Sequence, residues 1–180
     1  MKALVDRARV LSDGLAAIRT QFQLPKGFAP EAEAAAEAAA RQPLSDHIDR
    51  TAIPFVTLDP ASSTDLDQAF ALEQSGSDLI LRYAIADVGW FVPDGGPVDT
   101  EAWARGETIY MPDGKISLYP TALSEGAASL LPDGDKPAIL FIVRIASDGA
   151  EPRRGRAGDR PQPRQARLCD RAARGFTGRL

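Results

Sequence analysis

Three carboxylates fall within nine residues in the stretch Asp59-Pro60-Ala61-Ser62-Ser63-Thr64-Asp65-Leu66-Asp67-Gln68-Ala69. Asp65 and Asp67 stand two apart, so in extended chain they share a face. Pro60 and the small residues after it let the chain curl, which can return Asp59 to the same place. Crowded acids repel unless a cation joins them, and Mg²⁺ takes such oxygen ligands together with water and phosphate. A metal held there can activate water and steady a leaving oxygen in phosphodiester cleavage. Spacing alone leaves a plainer reading open, a polar loop in which Asp and Ser cap turns. An EF-hand is excluded, because neither the spacing nor the glycine fits.

Other reactive side chains carry less. His47 is the sole histidine and has no Ser or Cys partner in view, which argues against a triad. Trp90, Phe91 and Trp103 are read as core aromatics. Asp87 ends an apolar run and is either a structural acceptor or part of the acidic cluster. Asp133-Gly134-Asp135 reads as a turn.

The elements that would position these residues are set by periodicity. Leu4, Ala8, Leu11, Leu15, Ile18 and Phe22 keep one apolar stripe, predicting an amphipathic helix over 1–24 that Pro25 and Gly27 end. Pro30 opens a second, alanine-rich helix, with Glu31 and Glu33 near its positive end, which Pro43 stops. Residues 1–47 thus form a helical lead-in, expected to dock on the domain after it. A strand-like run, Phe55–Leu58, comes next. A hairpin is predicted from Ala69–Glu73, a turn at 75–77 and Leu79–Val88. A short helix runs from Asp99 to Arg105, closed by Gly106. A second hairpin spans 108–119, a short helix 121–131, and a last apolar strand 138–145, which is expected to leave an exposed sheet edge. The fold class is α+β, a mixed, largely antiparallel sheet with flanking helices.

Composition bounds the rest. The 180 residues are 44% hydrophobic and 26% charged, values of a globular chain. There is no apolar run long enough to span a membrane, and the N-terminus lacks the apolar core of a signal peptide. One cysteine, Cys169, rules out an internal disulfide and fits a reducing, cytoplasmic setting. The net charge of −4 hides a split: residues 1–150 carry 12 basic and 22 acidic side chains, residues 151–180 carry 9 and 3. An acidic body is not the footprint of a general nucleic-acid binder. Residues 151–180 lack Lys, Ile, Val, Met, Tyr and Trp and are rich in Arg, Gly, Pro and Ala, so a disordered basic tail is expected. Such a tail is either an arm for RNA phosphates or the product of a shifted reading frame in a GC-rich gene. No feature points to a protein partner.

Taken whole, the order of these segments resembles the opening of the catalytic domain of the ribonuclease II family. Ile53-Pro54-Phe55-Val56-Thr57-Leu58-Asp59-Pro60 and then Asp65-Leu66-Asp67-Gln68-Ala69 are similar to its signature, Asp-Pro, four residues, Asp, one residue, Asp-Asp-Ala. Tyr83–Val88 resembles its strand ending Ile-Ala-Asp-Val. Arg105-Gly106 with Thr108–Asp113, and Leu118-Tyr119-Pro120 with Leu123-Ser124-Glu125 and Ser129–Pro132, resemble its later segments. The resemblance covers about 48–146, and the domain assigned from it runs 48–150. It implies a 3′-to-5′ exoribonuclease that hydrolyses single-stranded RNA to 5′-nucleotides with Mg²⁺. By position Asp67 matches the aspartate on which cleavage chiefly depends, Asp59, Asp65 and Gln68 match metal-site positions, and Tyr110 matches the tyrosine that stacks on a 3′-terminal base. Gln68 departs from the pattern, replacing an aspartate with a neutral amide that still offers a carbonyl oxygen. The family's later arginine and glutamate near the scissile phosphate have no counterpart here. The resemblance therefore implies an incomplete domain, with a non-catalytic RNA-binding fragment or pseudogene product as the alternative.

Overall fold

The computed structural model of the chain describes residues 9–44, 47–132, 134–148 and 164–168. Its elements confirm the α+β class. Helix α1 spans Val10–Gln21 and α2 Pro30–Ala39. Strands β1 (Ile48–Asp49), β2 (Gln68–Ser75) and β3 (Asp78–Ala86) come next, then α3 (Val88–Phe91) and α4 (Pro97–Arg105). Strands β4 (Ile109–Met111) and β5 (Gly114–Ile116) form a separate ribbon. A π-helical turn, Leu123–Ala127, leads to β6 (Lys136–Ile145), and β7 is Arg164–Leu168.

The main sheet has the order β1-β7-β6-β3-β2; only the β1–β7 pair is parallel. The hairpin β2–β3 turns at Gly76, whose φ of 64° is open to glycine without strain. Alternation puts Ala69, Ala71, Ala84, Ala86, Ala138, Leu140, Ala166 and Leu168 on one face, where Phe55, Leu66 and Leu130 cover them. The opposite face keeps Leu72, Ile85 and Val143 exposed.

A second core joins the lead-in to the body. Ala36 and Ala39 of α2 pack with Phe91, Val98, Leu123 and Ala128. Alanine at these positions lets α2 lie close to α4. Arg105 fastens the same region: it pairs with Glu101 at 2.8 Å, donates to the Ser117 carbonyl at 3.2 Å and to that of Gly27, and lies 3.7 Å over the Phe28 ring.

Several expectations are corrected. The final strand is not an edge, because β7 pairs with β6 on its far side. Residues 164–168 are therefore strand, not disordered tail; the rest of 151–180 lies outside the described residues. The α1 stripe is covered mainly at Leu15; Leu11, Ile18 and Phe22 stay exposed, and Leu4 and Ala8 lie outside the described residues. Phe55–Leu58 contributes a single bridge, Val56 to Phe70, rather than a strand. Trp103 is no core residue: it is 81% exposed on α4. Phe91 is buried as expected, and Trp90 meets buried His47 edge-on, with ring centres 4.6 Å apart. Asp87 is a structural acceptor: buried, it caps α3 by accepting from the Trp90 amide at 3.2 Å. Asp133 lies outside the described residues. Among those residues no helix is long and apolar enough to cross a membrane.

Candidate functional site: a carboxylate and tyrosine cleft

The acidic loop reaches its shape through residues far along the chain. Ser63 closes a turn by donating its amide to the Pro60 carbonyl at 2.9 Å. Ser129, 1% exposed, then clamps the loop. Its hydroxyl accepts from the Leu66 amide at 2.8 Å and donates to the Thr64 carbonyl at 3.1 Å. The Leu130 amide donates to the Leu66 carbonyl at 2.8 Å. Leu66 is thus buried and pinned on both sides, which turns its neighbours Asp65 and Asp67 outward together. The Ala86 amide donates to the Asp67 carbonyl at 2.9 Å, extending the β2–β3 ladder to that residue.

Asp65 and Asp67 line a cleft of about 180 Å³ with Tyr110, Thr108, Tyr119 and Ser124, floored by Val88, Leu118, Leu123 and Ala128. Tyr110 projects from β4 and is 72% exposed. Opposite it in the ribbon stands Lys115 of β5. The Lys115 ammonium lies 3.1 Å from Asp65 and 2.8 Å from Glu125, bridging the acidic loop to the π-helical turn. Its pKa is raised, first by the hydrogen bond to Glu125 and against some desolvation, then by Asp65.

Asp67 also lines the cleft, and its pKa is raised from the ordinary aspartate value. Surrounding atoms displace water from it, and the charges of Asp65 and Asp59 add repulsion that Lys115 only partly offsets. Asp59 is therefore close enough to act on Asp67 through its field, while it remains exposed and outside the cleft lining. Gln68 is not brought to the cleft. It leaves the chain on the side opposite Asp67, on the outer sheet face, where its amide oxygen accepts from the Tyr83 hydroxyl.

These donors suit a hard cation in kind, since Asp59, Asp65 and Asp67 offer oxygen and their mutual repulsion would be relieved by one. Their spacing is not closed: among the described residues no group of three His, Cys, Asp or Glu side chains sits close enough to hold a metal. The sequence reading missed Ser129, Lys115 and Glu125. Ser129 and Glu125 lay inside segments already matched, but nothing local says that a serine 63 residues away grips the Asp loop.

Comparison with known proteins adds the family. The RNB domain model matches residues 47–153. Exoribonuclease 2 of Serratia proteamaculans (strain 568) is 39% identical over 123 residues, covering 68% of this chain and 19% of that protein. The chain thus spans about a fifth of the length of that relative. Mycoplasma genitalium RNase R, solved in complex with ribose methylated single-stranded RNA, shares the fold with a TM-score of 0.73 at 22% identity, over 87% of this chain and 24% of that one. Yeast Ssd1, a pseudonuclease, matches with a TM-score of 0.57 at 15% identity, over 71% of this chain and 15% of its own. With more than half of its length matched by that family model, the chain belongs to the RNB domain family.

Proposed function

We propose that the cleft is the reacting end of a 3′-to-5′ exoribonuclease site, which binds single-stranded RNA and releases 5′-nucleotides. The observation that carries this reading is the convergence of Asp65, Asp67 and Tyr110 on one cleft. Tyr110 offers an exposed ring for the terminal base, and such stacking tolerates any base identity. With a base on Tyr110, the last phosphodiester would be directed toward Asp67, which lines the same cleft. Its raised pKa makes it a better proton acceptor for an attacking water than an ordinary carboxylate. The water oxygen bonds to phosphorus, the bond from phosphorus to the upstream 3′ oxygen breaks, and the terminal nucleotide leaves with its 5′ phosphate. Mg²⁺ is the proposed cofactor; Asp59 and Asp65 would hold it together with water, and it would supply charge neutralisation at the phosphate. Gln68 could join only by giving up Tyr83. The action is placed in the cytoplasm.

A second reading has its own support, a non-catalytic RNA-binding piece of this family. The open spacing of the carboxylates favours it, as does the side chain of Gln68 facing away from them.

The deciding experiment is hydrolysis of a 5′-labelled single-stranded RNA with Mg²⁺ by the chain and by Asp67→Asn. Stepwise shortening from the 3′ end that Asp67→Asn abolishes supports the enzyme. Binding without shortening by either supports the second reading.

A further inference from the structure

Trp103 is the most exposed large apolar side chain among the described residues, at 81%. Its helix gains nothing from it in packing: the buried residue of α4 is Val98.

Trp103 borders a hollow of about 290 Å³ with Asp99, Ala102, Gly106, Leu118 and Tyr119. Leu118 and Tyr119 also line the carboxylate cleft. The two depressions therefore share a wall, and a chain leaving Tyr110 can pass over Tyr119 to Trp103. Gly106 lines the hollow at the end of α4, where its φ of 79° favours glycine. At about 30 Å³ per water the hollow holds roughly ten waters, and a nucleobase has a comparable number of heavy atoms.

Charge decides which part of a nucleotide fits. Among the described residues no Lys or Arg lines the hollow, and Asp99 does. A phosphate would be repelled there, whereas the face of a base would stack on the indole and its edge amino group could donate to the carboxylate. Asp99 is held for this by accepting from the Gly95 amide at 2.9 Å.

We propose that Trp103 and the hollow beside it form a second base-stacking subsite, taking an upstream nucleobase of single-stranded RNA whose 3′ end lies at Tyr110. This rests on the exoribonuclease reading of the cleft. The subsite sets how long an RNA must be to bind fully and is indifferent to the reaction itself.

The test uses oligoadenylates of increasing length, titrated without Mg²⁺ into the full chain, Trp103→Ala, Trp103→Phe and Tyr110→Ala, read by anisotropy and tryptophan emission. Long oligomers should quench Trp103 emission, and Trp103→Ala should weaken them about five- to 150-fold, the range of one lost stack. Dinucleotide binding should not change, and Trp103→Phe should recover most of the loss. Equal affinity of the chain and Trp103→Ala for long oligomers, with Tyr110→Ala impaired, overturns the subsite and leaves the cleft reading standing. Trp103 emission that ignores bound RNA overturns it too, and points to a protein surface as the occupant. If no oligomer binds the chain at any length, both readings fall.

Discussion

Replacing Ser129 by alanine tests whether the acidic loop is held from a distance. The hydroxyl serves two backbone groups, and their surroundings differ. Thr64 is exposed, so its carbonyl can turn to water once the hydroxyl is gone. Leu66 is 5% exposed and its amide has no such escape. A buried amide left without an acceptor costs about 1–3 kcal/mol. The space vacated by one oxygen is too small to admit a water that could replace it. We therefore expect a loss of about 2 kcal/mol. For a chain of this size that lowers the melting temperature by roughly 4–8 °C. Ser77→Ala is the control, since Ser77 is itself exposed and its hydroxyl donates to the neighbouring Asp78 at the surface, and should stay within about 0.5 kcal/mol.

Thermal unfolding gives the magnitude, and hydrogen exchange gives the location. In Ser129→Ala the Leu66 amide should exchange faster. The Leu130 amide, bonded to the Leu66 carbonyl, should keep its protection relative to its neighbours. If cleavage is confirmed, it should fall further than stability explains, because Asp65 and Asp67 flank the released residue. An unchanged melting temperature together with unchanged Leu66 exchange would refute the clamp.

Three further outcomes are expected from the charges and the sheet. Asp67 binds its proton more tightly folded than unfolded, so its ionised form opposes folding at neutral pH; Asp67→Asn should raise the melting temperature at pH 7, and the gain should vanish in acid where both states are protonated. Lys115→Met removes two half-exposed pairs and should cost about 1 kcal/mol by denaturant titration. Because the lysine pKa is raised, that cost is present below the ordinary lysine value and should fade as pH climbs past the raised one; a cost that grows with alkali would contradict the assignment. Ending the chain after Asp148 deletes β7, exposing the β6 edge and the partners of Leu168, which is worth about 1.5–3 kcal/mol and invites edge pairing. Light scattering should show aggregation, and a monodisperse product melting at the original temperature would mean that β7 contributes nothing.

The parts of this fold that could be read from sequence are those whose cause is local. Gly76 between two alternating runs announces β2–β3, and Pro30 with a run of alanine announces α2. The acidic loop stood out by residue type and order, and the family resemblance singled out Tyr110; the fold brings Asp65, Asp67 and Tyr110 to one cleft. What escaped depends on partners far away. Phe55–Leu58 alternates like a strand, yet only Val56 finds a neighbour, Phe70. Trp103 looked like core because its size suggests burial, while its helix turns another face inward. In β7, Ala166 and Leu168 point into the core and Arg167 outward, to Asp49 at 2.8 Å and Asp135 at 3.4 Å. That alternation was present in the sequence, but the arginine-rich composition around it outweighed a pattern of five residues.

The two halves of the cleft are held with different stiffness, which would suit the proposed exoribonuclease site, where different bases would pass over one phosphate. The carboxylate half is fixed by backbone groups: Leu66 is bonded at both its amide and its carbonyl and buried, so Asp65 and Asp67 move only if the core moves. The tyrosine half is a two-stranded ribbon, which has little stability of its own. It is tied by ion pairs that remain partly open to water, Lys115 to Asp65 and Glu125, and Arg19 of α1 to Asp113 at the ribbon's turn, at 2.7 Å. Pairs of this kind contribute about 0.2–1 kcal/mol each and weaken with salt. On the proposed reading the ribbon would shift to meet a purine or a pyrimidine at Tyr110, while Asp65 and Asp67 would stay in place. The helical lead-in is then no appendage. Through Arg19 it helps decide where Tyr110 sits, and high salt should loosen the ribbon before it disturbs the acidic loop.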